Sequence, residues 1–173
     1  MGIDVKIYFA CKMTGQWCDA ILRQAKKDSK YFTRRGITVY HPVIKEGVPN
    51  KHIKLFNTES QIHNLWRDDE GAIKDGHVLV NSATQGRATG ANREHGKARY
   101  DQWKPVVSIW PRGTRISHIA REEDDACVRT KQEAAKVIVE RWGTRWKRVK
   151  WRFPIYLKHW YNVSLYNLLQ FFR

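Results

Sequence analysis

A chain of 173 residues that is 42% hydrophobic and holds 21 aromatic side chains is long and apolar enough for one domain with a sizeable core, which excludes intrinsic disorder. It contains no run of eighteen apolar residues, and its first residues, MGIDVKIYFA, have neither a secretory signal pattern nor the Ser/Thr of a myristoylation signal, so a soluble protein is expected. The formal charge of +15 points to anionic partners: nucleotides, nucleic acid or an acidic membrane face. Cys11, Cys18 and Cys127 form an odd set without CxxC spacing, which argues against a disulfide framework or a zinc site and makes a reducing cytoplasm the natural compartment.

Residues 3–10, IDVKIYFA, read as a first strand followed by the loop CKMTGQ. Ala20, Ile21, Ala25 and Tyr31 recur at helical spacing between about Trp17 and Arg34, and Gly36 ends that helix. ITVYHP is a second strand stopped by Pro42, and residues 43–57 read as a substrate-side loop. Thr58 and Gln61 form a possible capping box for a helix running to about Lys74. GHVLVNS is a continuous apolar strand, as expected when helices cover both faces. After the turn-forming QGRATGA comes a helix that places Glu94 in its first turn, where the dipole would favour an ionised carboxylate. KPVVSIW is a fourth strand, and Thr130 with Glu133 caps a helix through about Trp142. Strand–helix alternation of this kind predicts an α/β, Rossmann-like parallel sheet of about five strands flanked by helices. Ligands then bind beyond the carboxyl ends of the strands, at CKMTG, HPVIK, NSATQGRATG and IWPRG.

Taken singly, the reactive groups there have ordinary explanations. Glu94 could be a stabilising charge at a helix start, Asp69 sits among Asp68, Glu70 and Asp75 as on a solvated face, and an aromatic such as Tyr8 at a strand end is usually core. Together, KIYFACKMTG, RDDEGAIKDGHVLV and TGANREHGKARYDQWKPVV resemble the nucleoside 2-deoxyribosyltransferase superfamily over about residues 5–121. That superfamily has a first strand ending in Tyr, an Asp eight residues ahead of the third strand, and a Gly-containing loop running into Glu-x-Gly-x-Ala. Here Asp69 precedes His77 by eight residues, and Glu94-His95-Gly96-Lys97-Ala98 matches the last element.

The resemblance implies Glu94 as nucleophile on the anomeric carbon, Asp69 as the group that protonates or hydrogen-bonds the departing base, and Tyr8 as an orienting hydroxyl. After the fourth strand, IWPRGTRISHIAR resembles the 2′-deoxynucleoside 5′-phosphate N-hydrolases, in which a serine here reaches the phosphate held by the neighbouring subunit of a dimer. Ser117 takes that place, and His41 matches a histidine on the base side. The chain departs from those hydrolases at Lys12, Thr14 and Ala88, so phosphate contacts are expected from Lys12, Thr14, Gly15, Thr89, Gly90 and Ser117. The transferases carry an aspartate where Ala88 stands, which favours hydrolysis over base exchange.

The expected reaction is therefore hydrolysis of the N-glycosidic bond of a (deoxy)nucleoside 5′-monophosphate through a Glu94 glycosyl-enzyme, in a homodimer, with neither cofactor nor metal. Nucleoside base exchange, or a non-catalytic nucleotide- or nucleic-acid-binding module, are the competing readings.

The predicted catalytic domain spans residues 1–142, and 143–173 form a basic, aromatic C-terminal extension. From residue 141 onward there are eight Lys/Arg, no acidic residue and ten of the aromatics, a composition shift that marks an addition. Interleaved Trp and Lys/Arg suit single-stranded nucleic acid, an anionic surface, or packing on the body or a second subunit.

Overall fold

The computed structural model describes residues 2–11, 18–45, 59–82, 89–116, 118–145 and 147–148. Five strands, β1 (Val5–Cys11), β2 (Ile37–Tyr40), β3 (Val78–Ser82), β4 (Val106–Ile109) and β5 (Ala126–Val128), form one sheet in the order β2-β1-β3-β4-β5. Every pairing is parallel, with Tyr8 opposite Tyr40 and Leu79, and Asn81 opposite Ala10 and Ser108. The helices are α1 (Cys18–Thr33), α2 (Pro42–Lys45), α3 (Glu59–Asp75), α4 (Thr89–Gly96), α5 (His118–Glu123) and α6 (Lys131–Trp142), and a π-helical turn, Lys97–Asp101, continues α4. The α/β class and the five parallel strands agree with the sequence reading. β5 was not located there, and Pro42–Lys45, read as loop, is a short helix whose first turn His41 closes by accepting the N–H groups of Ile44 and Lys45.

Side chains alternate across each strand, so the sheet has two separate cores. Val5, Ile7, Phe9, Ile37, Val78, Val80 and Val107 pack on Phe32 of α1 and on Ala134, Ala135, Ile138 and Trp142 of α6. Tyr8, Ala10, Leu79 and Val106 face the other way, onto Ile73 of α3 and Ala98 of the π turn. The two helices of the first layer are tied together by Asp28, which accepts from Gln24 and pairs with Lys131. Gly36, at φ 75°, takes the left-handed conformation that turns α1 into β2, where a side chain would be strained.

The capping box of α6 forms with one variation. Thr130 Oγ1 accepts the Glu133 N–H at 3.1 Å, while Glu133 reaches back to the N–H of Arg129 at 2.7 Å, one residue before the cap. The polypeptide beyond α6 starts against the body. Trp142 is fully buried, and Arg148 donates to the Trp142 carbonyl at 3.1 Å and pairs with Asp4 ahead of β1 at 3.1 Å. Residues 149–173, most of the predicted extension, lie outside the described residues. Among the described residues no helix is long and apolar enough to cross a membrane.

Candidate active site

A sheet of order 2-1-3-4-5 reverses its winding direction between β1 and β3, and the crevice beyond the carboxyl ends of those two strands is where such folds bind ligands. Tyr8, on β1, points into the second core and is 1% exposed. Asp69 lies one turn before Ile73 on the stripe of α3 that faces the same core. This explains why Asp69 is 5% exposed while its neighbours Asp68 and Asp75 face solvent. The solvated-face reading of that acidic cluster holds for those two and fails for Asp69. Glu94, 7% exposed, precedes Ala98 of that core by the same four residues.

The three side chains converge. The Tyr8 hydroxyl lies 2.8 Å from Asp69 Oδ1 and 3.1 Å from Glu94 Oε1. A phenol has one proton to donate, so it donates to one carboxylate and its oxygen accepts from the other carboxyl when that one is protonated. Such a trio is suited to hold one carboxyl as an acid and one as a base. Burial first, then the charges of Glu94 and Asp69, push the Tyr8 pKa well above its ordinary value, so the hydroxyl keeps its proton. Tyr40, across the β1–β2 pair, stacks on the Tyr8 ring at 5.4 Å between centroids and fixes its plane.

Glu94 is not in the first turn of its helix. α4 begins at Thr89, with Gly90 already helical, so Glu94 is its sixth residue and the dipole argument for its ionisation does not apply. Its helix is instead held from several sides. Next to Glu94, buried His95 Nε2 lies 2.7 Å from Asp124 Oδ1, and the Ser108 hydroxyl of β4 donates to the other oxygen of Asp124. Arg93 lies over the Trp66 ring of α3 at 3.8 Å, and Arg99 pairs with Asp125 at 2.9 Å. Asp125 in turn accepts the Val106 N–H, and its carboxyl pKa is raised, chiefly by burial.

His41 is buried with its ring stacked on Phe9 at 5.2 Å, on the face of the sheet opposite Tyr8, and desolvation lowers its pKa to about 4. Thr89 and Gly90 form the first turn of α4, although their side chains lie outside what the structure describes. Lys12, Thr14, Gly15 and Ser117 also lie outside the described residues. The sequence reading passed over Tyr40, His95 and Asp124. The signal for His95 was an imidazole where helical spacing, four residues after a helical position and three before Ala98, demanded an inward side chain. A groove of about 790 Å³ lined by Lys6, Thr38, Tyr40, Lys45, Arg67 and Asp75 runs along β2 beside α3; Tyr40 borders it, whereas Tyr8, Asp69 and Glu94 do not.

No protein-family description and no curated protein matches the chain. Solved structures do. A 2-deoxyribosyltransferase from the psychrotolerant bacterium Bacillus psychrosaccharolyticus superposes with a TM-score of 0.58 at 20% identity, over 75% of this chain and 90% of that one. A conserved protein from Enterococcus faecalis V583 gives 0.55 at 18% identity, over 79% and 98%. A CMP N-glycosidase from Clostridium botulinum gives 0.47 at 14% identity, over 77% and 96%. Identities this low speak for architecture alone. In that architecture, the chain has the 2-deoxyribosyltransferase-like fold that its short motifs resemble.

Proposed function

We propose that the protein cleaves the bond between base and sugar of a nucleoside 5′-monophosphate, by hydrolysis. The observation that carries this reading is the Tyr8 hydroxyl set between two buried carboxyl groups, Asp69 and Glu94, at the switch point of the sheet. Breaking an N-glycosidic bond builds positive charge on the sugar and negative charge on the base, and one carboxylate with one carboxylic acid answers both. Glu94 attacks C1′ while the C1′–N bond breaks, and its electron pair leaves with the base, which takes a proton from Asp69. Water then adds to C1′, gives a proton back to Asp69 and releases Glu94 as carboxylate. Tyr8 holds the attacking oxygen and passes hydrogen-bonding from one carboxyl to the other as their charges exchange. The fold shared with a 2-deoxyribosyltransferase supports the class of bond.

A 5′-phosphate is supported by the charge of +15 and by the first turn of α4, whose backbone N–H groups open the helix that bears Glu94. In this reading two subunits build each site, with Ser117 of one reaching the phosphate held by the other.

The experiment is incubation with ribo- and deoxyribonucleoside monophosphates and the matching nucleosides, with and without a second free base, read by chromatography. Free base and sugar phosphate from a monophosphate, lost in Glu94→Ala, are the expected result. A new nucleoside formed only with added base would replace hydrolysis by transfer. Ser117→Ala should slow the monophosphate about ten- to a hundredfold, as for loss of a hydrogen bond to a charged group, and leave the nucleoside unchanged. Equal wild-type rates on both would remove the phosphate from the reading.

A further inference from the structure

Asn81 follows three apolar residues, Val78, Leu79 and Val80, in a strand buried along its whole length, and it is 1% exposed. Neither its carboxamide oxygen nor its nitrogen has a hydrogen-bond partner among the described residues. A buried amide left so is disfavoured against an apolar residue of the same shape, so its presence calls for a reason.

Its position supplies one. β3 pairs Leu79 with Tyr8 and Asn81 with Ala10, so Asn81 shares the face of Tyr8 and lies one row nearer the carboxyl edge, across the switch point. Ala10, beside it, has only a methyl group to fill that row. α4, which bears Glu94, packs on both β1 and β3, whereas α3, which bears Asp69, packs on β1. Asn81 is thus on the side of the nucleophile, away from the acid that faces the departing base.

We propose that the Asn81 carboxamide binds a hydroxyl of the substrate's sugar next to the bond that breaks, and so selects for a sugar that has it. The inference rests on the glycosidic reading of Tyr8, Asp69 and Glu94. The chemistry favours a hydroxyl over the other parts of a nucleotide. An amide offers one acceptor and two donors side by side, which complements a group that donates and accepts at once. Being neutral, it does nothing for the charge of a phosphate, and the base lies on the Asp69 side. A buried group that pairs only when the hydroxyl is present discriminates strongly against an analogue without it, because the analogue leaves it unpaired.

The test measures binding apart from turnover. Calorimetric titration of Glu94→Ala protein with ribo-, 2′-deoxy- and 3′-deoxynucleoside monophosphates of one base should show the 2′-deoxy analogue about ten- to a hundredfold weaker than the ribonucleotide and the 3′-deoxy analogue close to it. Adding Asn81→Leu, close in shape, should level the series, and Asn81→Ala serves if the leucine variant unfolds in a thermal melt. Discrimination that persists in either variant overturns the inference and leaves Asn81 as an anchor for the neighbouring loops. An undiscriminated wild-type series, or no binding at millimolar nucleotide, overturns it as well. Binding that discriminates through Asn81 without any base release by the wild type sinks the glycosidase reading and leaves the hydroxyl subsite standing.

Discussion

Replacing Tyr8 by Phe removes one oxygen and little else. The ring keeps its place between Tyr40 and the core, so the fold should survive. What is lost is the hydroxyl 2.8 Å from Asp69 and 3.1 Å from Glu94. A hydrogen bond to a charged group contributes about 1.5–3 kcal/mol, and the single phenolic proton supplies one such bond at a time. At about 1.4 kcal/mol per factor of ten, base release should fall roughly ten- to a hundred-and-fiftyfold. The loss should also depend on pH. The hydroxyl stabilises the ionised carboxylate, so its removal favours the protonated form of the carboxyl that depended on it, and the deficit of Tyr8→Phe should grow towards acid and shrink towards alkaline pH. Initial rates of base release from pH 4.5 to 9, with thermal melts to verify folding, decide the matter. A variant within threefold of wild type at every pH would refute the reasoning, since the hydroxyl would then be structural.

Other perturbations separate the remaining roles. Asp69→Asn should slow substrates with poor leaving bases about a hundredfold or more, in the range of general acid catalysis, and activated ones far less, as a plot of rate against base acidity would show. His95→Leu removes a hydrogen-bond partner from the buried Asp124 Oδ1 and should cost about 1–3 kcal/mol in urea unfolding. His41, with its folded pKa lowered to about 4, stays neutral where the unfolded chain takes a proton, so stability should fall as pH drops from 6.5 to about 4, by up to about 3 kcal/mol. His41→Gln should flatten part of that slope in melts across this window, with His77, lowered to about 4 as well, providing the rest. Ending the chain at Arg148, which keeps its pair with Asp4, should preserve base release if the extension has no part in the chemistry, and a chain inactive yet folded would show that it does.

Much of the fold was legible because its signals are local. Gly36, the Thr130–Glu133 box and the apolar run before Ser82 each act within a few residues, and the elements they bound are present. β5 escaped because three residues, Ala126–Val128, are too few for alternation to register, and two of them are only partly buried. The site was legible differently. Spacing alone left Asp69 in an acidic cluster with nothing to distinguish it, and only its relation to Ile73, four residues on, shows which carboxylate turns inward. For His41 the deciding signal is not local. A strand's register decides the face a side chain takes, and one residue past Tyr40 is the wrong face for meeting Tyr8.

The misplaced start of α4 has a mechanistic consequence. With Glu94 in the second turn, the charge of its carboxylate cannot be set by the helix end and must be set by contacts across the sheet. Those contacts come from β1 through Tyr8, and their geometry depends on how α4 is seated on the strands. Three attachments seat it: His95 to Asp124, Arg93 to Trp66 and Arg99 to Asp125. Two of these run to residues 124 and 125, between α5 and β5, so the edge of the sheet farthest from Tyr8 positions Glu94. The π turn at Lys97–Asp101 belongs to the same device, because its extra residue per turn lets Ala98 enter the core and Arg99 reach Asp125 from one short segment. A carboxyl group held in this way is ordered before any ligand arrives, which in the proposed reaction would leave little of the barrier to reorganising its surroundings.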